Sequence, residues 1–206
     1  MKPVVLFAVL VVAGCAGLPR PEATVSVYDF GPPARLGKDA TPKGGVLALE
    51  MRAAPWLDAP NITYRLAYDD PLKRRHYNDS RWASAPVNLL AQHLREKTGL
   101  VSANAEQSAS CVVRFSLREF SQVFDTPQES HAIVQGQVDV IDGKRLLLAG
   151  RTLRVEVGAA SPDAPGGVNG LVTASGLLAD QLNDWLEQLE HNGILKGCSS
   201  RPGDRR

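Results

Sequence analysis

The strongest constraint on the fold is a run of three segments, between residues 111 and 157, in which apolar and polar residues alternate. The first places Cys111, Val113, Phe115 and Leu117 on one face and then changes phase at Phe120. A period of two residues is typical of a strand with one buried face, and a change of phase predicts a β-bulge, here at 118–119. The segments 132–141 and 144–157 keep the same period, so we expect three consecutive antiparallel strands.

The junction between the second and third segments is Asp142-Gly143, a pair typical of a two-residue type I′ hairpin. Shorter alternating runs precede the three segments, at 24–30, 46–52, 62–68 and, more weakly, 74–78. Turns and loops rich in proline, glycine or aspartate separate these runs. The alternating runs together are enough to build one sheet.

Two other segments have the helical period. The first runs from Pro86 to a terminating Gly99, with Ser84 as the expected N-cap and apolar residues at helical spacing between them. The second covers 168–192, and we expect Gly176 within it to permit close packing on the sheet. Runs of strands with two amphipathic helices predict an α+β fold, in which both helices pack on an antiparallel sheet.

The N-terminus has the pattern of an export signal, because Lys2 precedes an apolar run at 4–13 that ends in the small residues Ala13-Gly14. This run is shorter than the roughly 20 residues that a membrane span needs. A cysteine directly after the small residues, here Cys15, is typical of the lipobox of bacterial lipoproteins. In that class the thiol receives a diacylglyceryl group, and acyl chains such as palmitate hold the protein on a membrane. An ordinary signal peptide with an incidental cysteine is the alternative.

These boundaries predict a signal peptide (1–14), a lipidated tether (15–23), a single domain (24–198) and a polar tail (199–206). The chain has 23 Lys and Arg residues against 22 Asp and Glu, and removal of Lys2 with the signal makes the two numbers equal. Binding to nucleic acid depends on neutralising phosphate charge. A neutral chain gives no reason to expect that partner.

Two cysteines remain in the expected domain, Cys111 and Cys198. An even pair in an oxidising compartment is more often a disulfide than a metal or catalytic pair. We therefore expect a bridge that ties the C-terminal end of the domain to the start of the first long strand. Two separate thiols are the alternative.

The sequence contains few of the motifs that are typical of catalytic sites. None of the four histidines stands at a zinc-ligand spacing, and no nucleophile elbow, phosphate-binding loop or dinucleotide-binding turn occurs. The adjacent carboxylates Asp69-Asp70 precede Pro71, where a turn role is far more common than acid–base catalysis. We therefore expect a protein that is not an enzyme and that needs neither a metal nor a cofactor.

Four short motifs follow one another in the segment 55–86: Pro55-Trp56-Leu57, Ile62-Thr63-Tyr64-Arg65, His76-Tyr77-Asn78 and Arg81-Trp82-Ala83-Ser84-Ala85-Pro86. Their order (a proline bend, a strand with a central tyrosine, and a Trp-Ala pair before a helix) resembles the ABC-type transport auxiliary lipoproteins, the PqiC-type family. With the lipobox and the last amphipathic helix, the resemblance covers nearly the whole chain. Tyr28-Asp29-Phe30 departs from the paired tyrosines that are usual in the family.

The resemblance implies a partner rather than a reaction. Members of the family are outer-membrane lipoproteins that work beside an MCE-domain protein and an ABC transporter of the inner membrane, in systems thought to move lipids between the two membranes. The resemblance thus implies docking of the MCE assembly at the periplasmic face of the outer membrane, with a homo-oligomeric ring as one arrangement. Ala16 after Cys15 is consistent with sorting to that membrane. A periplasmic carrier that itself holds a lipid in an apolar pocket is the alternative.

Two tryptophans have different expected roles. Trp82 precedes a helix, where a large apolar side chain most often fills the core. Trp56 and Leu57 lie in a proline-flanked bend, where a bulky side chain has less reason to be buried. We expect these two residues to contribute to a partner or oligomer surface, with local packing as the alternative.

Overall fold

The structure is a computed structural model that describes residues 24–32, 47–102 and 110–198. Within these ranges, two α-helices accompany a sheet of eight strands, which confirms the predicted α+β fold. The strands are β1 (Ser26–Tyr28), β2 (Leu47–Ala53), β3 (Asn61–Leu66), β4 (Asp70–Trp82), β5 (Val101–Ser102), β6 (Cys111–Phe124), β7 (Ser130–Asp142) and β8 (Leu147–Gly158). The helices are α1 (Pro86–Thr98) and α2 (Ala164–His191), and short 3-10 turns cover Pro55–Leu57 and Ile194–Cys198.

Strand β6 is the centre of the sheet. On one side, β7 pairs with it antiparallel along its whole length and β8 pairs antiparallel with β7, so the predicted three-stranded meander is confirmed. On the other side, β2 and β3 both pair with β6 in parallel, one after the other. Beyond them, β5 adds to β2, whereas β4 and then β1 add to β3. The sheet is therefore mostly antiparallel but includes parallel pairs that the sequence pattern did not indicate.

The predicted bulge in β6 marks the change from β2 to β3. The register with β7 shifts between Leu117 and Glu119, at the predicted place. Strand β2 ends there, since Ala53 is the partner of Leu117, and β3 joins β6 farther on, where Tyr64 is the partner of Gln122. The chain between β2 and β3 leaves the sheet and forms the 3-10 turn Pro55–Leu57.

The helices cover one face of the sheet and leave the other polar. Helix α2 packs on β6, β7 and β8, while α1 lies against α2 and β2. The opposite face carries rows such as Glu50, Arg114 and Asp139 on neighbouring strands. A sheet with one solvated face has this alternation. Trp82 is 1% exposed, which confirms its expected place in the core.

Both helices begin at residues other than those expected. Helix α1 has Ala85 as its N-cap, without a side-chain bond, while the Ser84 hydroxyl instead accepts a hydrogen bond from the Asn88 amide at 3.2 Å. Helix α2 begins four residues before the predicted start, because the Asp163 side chain accepts from the Gly166 N–H at 2.8 Å. The expectation missed this first turn because Pro and Gly residues in the segment 158–167 resemble a loop.

The glycines of α2 do not act as expected. A β-carbon at Gly176 would have its nearest neighbour 3.9 Å away, the Nε2 atom of His93 on α1, so this glycine does not permit close packing on the sheet. Gly170 has that role instead, since a β-carbon there would lie 2.9 Å from the Cβ atom of Ala132 on β7.

The turn between β7 and β8 also differs from the prediction. The Arg145 N–H donates to the Asp142 carbonyl at 2.9 Å, and the Asp142 N–H donates to the Leu146 carbonyl at 3.0 Å. The residue with positive φ is Arg145 (66°) rather than Gly143. A type I turn followed by a left-handed residue therefore replaces the expected type I′ turn.

Candidate functional site

The predicted lipidation site, Cys15, and the polar tail 199–206 lie outside the described residues. The described chain begins at Thr24 and enters β1 at Ser26. In the described ranges β1 pairs with β4 alone, so the chain that leads from the tether joins the sheet at an edge.

The bend between β2 and β3 separates the two residues of the predicted partner surface. Trp56 is 59% exposed, whereas Leu57 is 1% exposed and belongs to the core. The assignment of Leu57 to a surface is therefore wrong. A 3-10 turn rotates successive side chains by about a third of a turn, so one residue faces inward while its neighbour faces solvent. Trp56 remains as the candidate contact residue.

Two backbone hydrogen bonds and one buried side chain hold the bend in place. The Leu57 N–H donates to the Ala54 carbonyl at 2.8 Å, and the Asp58 N–H donates to the Pro55 carbonyl at 3.2 Å. Buried Leu57 fixes the turn to the core from below. Trp56 is thus presented to solvent by a short, anchored segment.

A second exposed apolar site lies at the turn between β3 and β4. Leu72 is 88% exposed and Tyr68 is 49% exposed. The sequence interpretation missed this site because it placed Tyr68 in a strand extending to 68, whereas β3 ends at Leu66. The signal was an isolated leucine between Pro71 and Lys73, directly after a turn motif.

Glu119 connects this hairpin to the sheet. Its carboxylate lies 3.1 Å from an Arg65 guanidinium nitrogen and 2.9 Å from an Arg74 nitrogen, and all three side chains are about a fifth exposed. Burial alone would raise the pKa of Glu119, but the charges of Arg74 and Arg65 and the hydrogen bond from Arg74 outweigh it, so the pKa lies below its ordinary value. The three charged groups satisfy one another, which favours a structural role.

A partly buried chain of hydrogen bonds lies between the sheet and the start of α2. The Tyr77 hydroxyl donates to the Gln122 side-chain oxygen at 2.8 Å, and the Gln122 amide donates to the Ser130 hydroxyl at 2.8 Å. Burial is the main reason that the pKa of Tyr77 is raised. A β-carbon at Gly167 would lie 2.1 Å from the same Gln122 oxygen, so α2 approaches this chain directly.

The segment after β1 inserts an aromatic ring into the core. Phe30 lies 5.7 Å from Trp82, 6.2 Å from Phe120 and 5.4 Å from His93, measured between ring centroids. His93 is half-buried, and its Nε2 atom has no hydrogen-bond partner among the described residues. Burial lowers the pKa of His93, and the nearby charge of Lys97 lowers it further.

At the opposite end of the sheet, the structure joins Cys111 to Cys198. The Sγ atoms are 2.05 Å apart and the Cα atoms 5.2 Å apart. Each cysteine is 1% exposed. The disulfide ties the last 3-10 turn to the first residue of β6. This is the pairing expected from the sequence.

A surface depression of about 450 Å³ on the C-terminal part of α2 is lined by polar residues, namely Asp184, Glu187, Gln188, His191 and Asn192. Within 24–32, 47–102 and 110–198, no three His, Cys, Asp or Glu side chains are grouped so as to hold a metal ion. No helix in these ranges is both long and apolar enough to cross a membrane.

Comparison with known proteins shows similarity in fold. No family model matches the chain, and no curated protein matches its sequence. A crystal structure of a Xanthomonas campestris protein, described as family-model DUF330, superimposes with a TM-score of 0.63 and 16% identity over 82% of this chain and 95% of that chain. A second crystal structure, of an uncharacterized protein, gives a TM-score of 0.60 and 14% identity over 79% of this chain and 99% of that chain. The chain is therefore similar in fold, over most of its length, to a DUF330 protein.

Proposed function

We propose that this chain is an outer-membrane lipoprotein that docks an MCE-domain protein, as the auxiliary component of an ABC transporter system that moves lipids between two membranes. The lipobox at Cys15 supports the anchor, and the ordered motifs of residues 55–86 support the family. Several motif residues are structural: Leu57, Ile62 and Trp82 are each at most 1% exposed. The resemblance therefore rests in part on residues that fix the fold.

The observation that carries the docking role is the exposure of Trp56. A tryptophan that is 59% exposed leaves a large apolar surface in water, although its neighbour Leu57 holds the turn in the core. Tryptophan is enriched among the residues that dominate binding energy at protein interfaces. A rigidly held, exposed tryptophan is therefore suited to a partner contact.

The alternative, a carrier that holds a lipid itself, needs a deep apolar cavity. Large side chains such as Phe115, Phe120 and Leu153 fill the space between the sheet and the helices, each at most 1% exposed. The depression on α2 is lined by polar residues, which do not suit an acyl chain. No observation among the described residues favours the carrier over the docking component.

The test is capture of the MCE-domain protein by membrane-extracted protein, comparing the wild type with Trp56→Ala. The matched control is Leu177→Ala on α2, since Leu177 is also exposed (45%) but belongs to a helix. We expect Trp56→Ala to lose capture while its melting temperature stays at the wild-type value, and Leu177→Ala to keep both. Unchanged capture by Trp56→Ala, or loss of stability as its only effect, would contradict the docking role.

A further inference from the structure

The turn at 67–69 and the first residues of β4 form a tip at one end of the sheet, and we call residues 67–73 the hairpin tip. Leu72 within it is 88% exposed, more than any other large apolar side chain in the described ranges. Tyr68 beside it is 49% exposed. Tyrosine and leucine together are typical of side chains that enter the boundary between lipid headgroups and acyl chains.

The charges at the hairpin tip balance one another. Asp69 pairs with Arg75, with 2.6 Å between the carboxylate and the guanidinium. Asp70 accepts a hydrogen bond from the Leu72 N–H at 3.0 Å, and exposed Lys73 supplies the compensating positive charge. With Arg75 included, the charges at the tip cancel, which favours contact through Leu72 and Tyr68 over attraction to an anionic partner.

The backbone of the hairpin tip is fixed from within the sheet. One guanidinium nitrogen of Arg65 donates to the carbonyls of Pro71 and Leu72, at 3.1 and 3.2 Å. The other nitrogen is paired with Glu119 on β6. Leu72 is thus exposed on a backbone that hydrogen bonds hold in place.

The chain enters β1 from the same end of the sheet. Strand β1 is parallel to β4, with Ser26 opposite Ser80, and β4 runs from the hairpin tip toward Ser80. Thr24 and Val25, which precede Ser26, therefore lie at the end of β1 that faces the tip. At about 3.3 Å per residue, the chain from Ser26 to Cys15 spans up to ~36 Å, whereas β4 from Ser80 to Leu72 spans at most ~26 Å. The covalent reach of the tether exceeds the distance to the tip.

We propose that the hairpin tip contacts the lipid bilayer that holds Cys15, with Leu72 and Tyr68 at the headgroup boundary. This inference rests on the lipidation that is part of the proposed function. It sets the orientation of the domain, because β6 then has its Phe124 end toward the bilayer and its Cys111 end, with the disulfide, away from it.

The opposite end of the sheet supplies a matched control. Leu147 is 64% exposed and lies beside the β7–β8 turn. It is the partner of Ile141 on β7, which is in turn the partner of Val112 on β6, so Leu147 lies near the Cys111 end of β6. Strands β1 and β8 also form opposite edges of the sheet. Leu147 is thus an exposed leucine of similar kind, located away from the expected bilayer.

The experiment uses the full lipidated protein in phosphatidylcholine vesicles, with an environment-sensitive fluorophore attached to Leu72→Cys or to Leu147→Cys. The native Cys111 and Cys198 are bridged and buried, so the label attaches to the introduced thiol. Nitroxides on the lipid acyl chains report contact with the bilayer, and aqueous iodide reports exposure to water.

We expect the nitroxides to quench the label at 72 several-fold more strongly than the label at 147, and iodide to give the reverse order. Equal quenching at the two positions, or stronger lipid quenching at 147, would overturn the proposal. So would lipid quenching at 72 that needs anionic lipid and disappears at high salt, because the tip is neutral. A tip label shielded by an added protein but not by vesicles would identify a protein as the occupant instead.

Failure of the underlying lipidation is visible separately. If Cys15 is not acylated, the intact mass lacks the lipid and the protein does not float with vesicles, which contradicts the proposed anchor. If the protein floats but the label at 72 stays open to iodide, the anchor stands and the orientation proposed here is wrong.

Discussion

Removing the Cys111–Cys198 disulfide should lower the free energy of unfolding by about 4.6 kcal/mol. The bridged residues are 87 positions apart in the sequence. For a loop of this length, the chain-entropy relation gives a loss of about 15 cal/mol/K in the unfolded state, which is about 4.6 kcal/mol at 25 °C. The bridge thereby stabilises the domain mainly by restricting the unfolded chain.

The assay is urea unfolding, monitored by circular dichroism, of the oxidised wild type and of the double variant Cys111→Ala/Cys198→Ala. With a denaturant slope of about 2 kcal/mol/M, the midpoint should fall by about 2 M. Because each cysteine is 1% exposed, reductant added to the folded wild type should act only as fast as the protein unfolds. A midpoint shift below about 0.5 M, equivalent to about 1 kcal/mol at this slope, would show that the disulfide does not stabilise the domain by restricting the unfolded chain.

Three further experiments test the packing and charge arguments. Glu119→Gln should destabilise the protein by about 1–3 kcal/mol, because it weakens the partly buried ion pairs that hold the hairpin, whereas the exposed control Glu156→Gln should cost less than about 1 kcal/mol. His93→Gln should flatten the pH dependence of stability below about pH 6.5. Burial lowers the pKa of the folded histidine beneath its ordinary 6.5, so the unfolded chain binds more protons than the folded protein. The stability of the wild type is therefore complete above about pH 6.5 and falls as the pH falls below it. Gly176→Ala should stabilise α2 by up to about 1 kcal/mol, while Gly170→Ala should be destabilising because its β-carbon meets β7.

Each of these is checked by chemical unfolding of purified protein at matched pH. Equal costs for the two glutamate substitutions would show that the hairpin ion pairs contribute nothing beyond surface charge. A His93→Gln variant with the wild-type pH profile would assign that profile to other groups. Similar effects of alanine at 170 and at 176 would contradict the close approach of α2 to the sheet.

The local features of the fold could be predicted because the signals lie close together in the sequence. Alternation along β6, β7 and β8 determined one buried face, and its change of phase located the bulge between Leu117 and Glu119. The parallel pairing of β2 and β3 with β6 could not be predicted in this way. It joins residues such as Ala53 and Leu117 across a long stretch of chain, and no turn between them sets the register.

The candidate site was predictable only in part. A proline bend with Trp56 and Leu57 suggested an exposed apolar surface, but composition does not determine which side chain a 3-10 turn directs inward. The rotation of that turn buries Leu57 and exposes Trp56. Leu72 was missed because a single leucine directly after a turn motif shows no periodicity. Only the structure shows that Arg65 donates to its carbonyl and fixes its backbone.

Site-specific photo-crosslinking in intact cells tests the proposal that the lipid-anchored domain docks an MCE-domain protein through Trp56. A photoreactive residue would replace Trp56 (59% exposed), with a second variant carrying it at Leu177 (45% exposed) as control. We expect an adduct from position 56, absent from position 177, that contains an MCE-domain protein. No adduct at 56, or one that contains only a second copy of this chain, would contradict it.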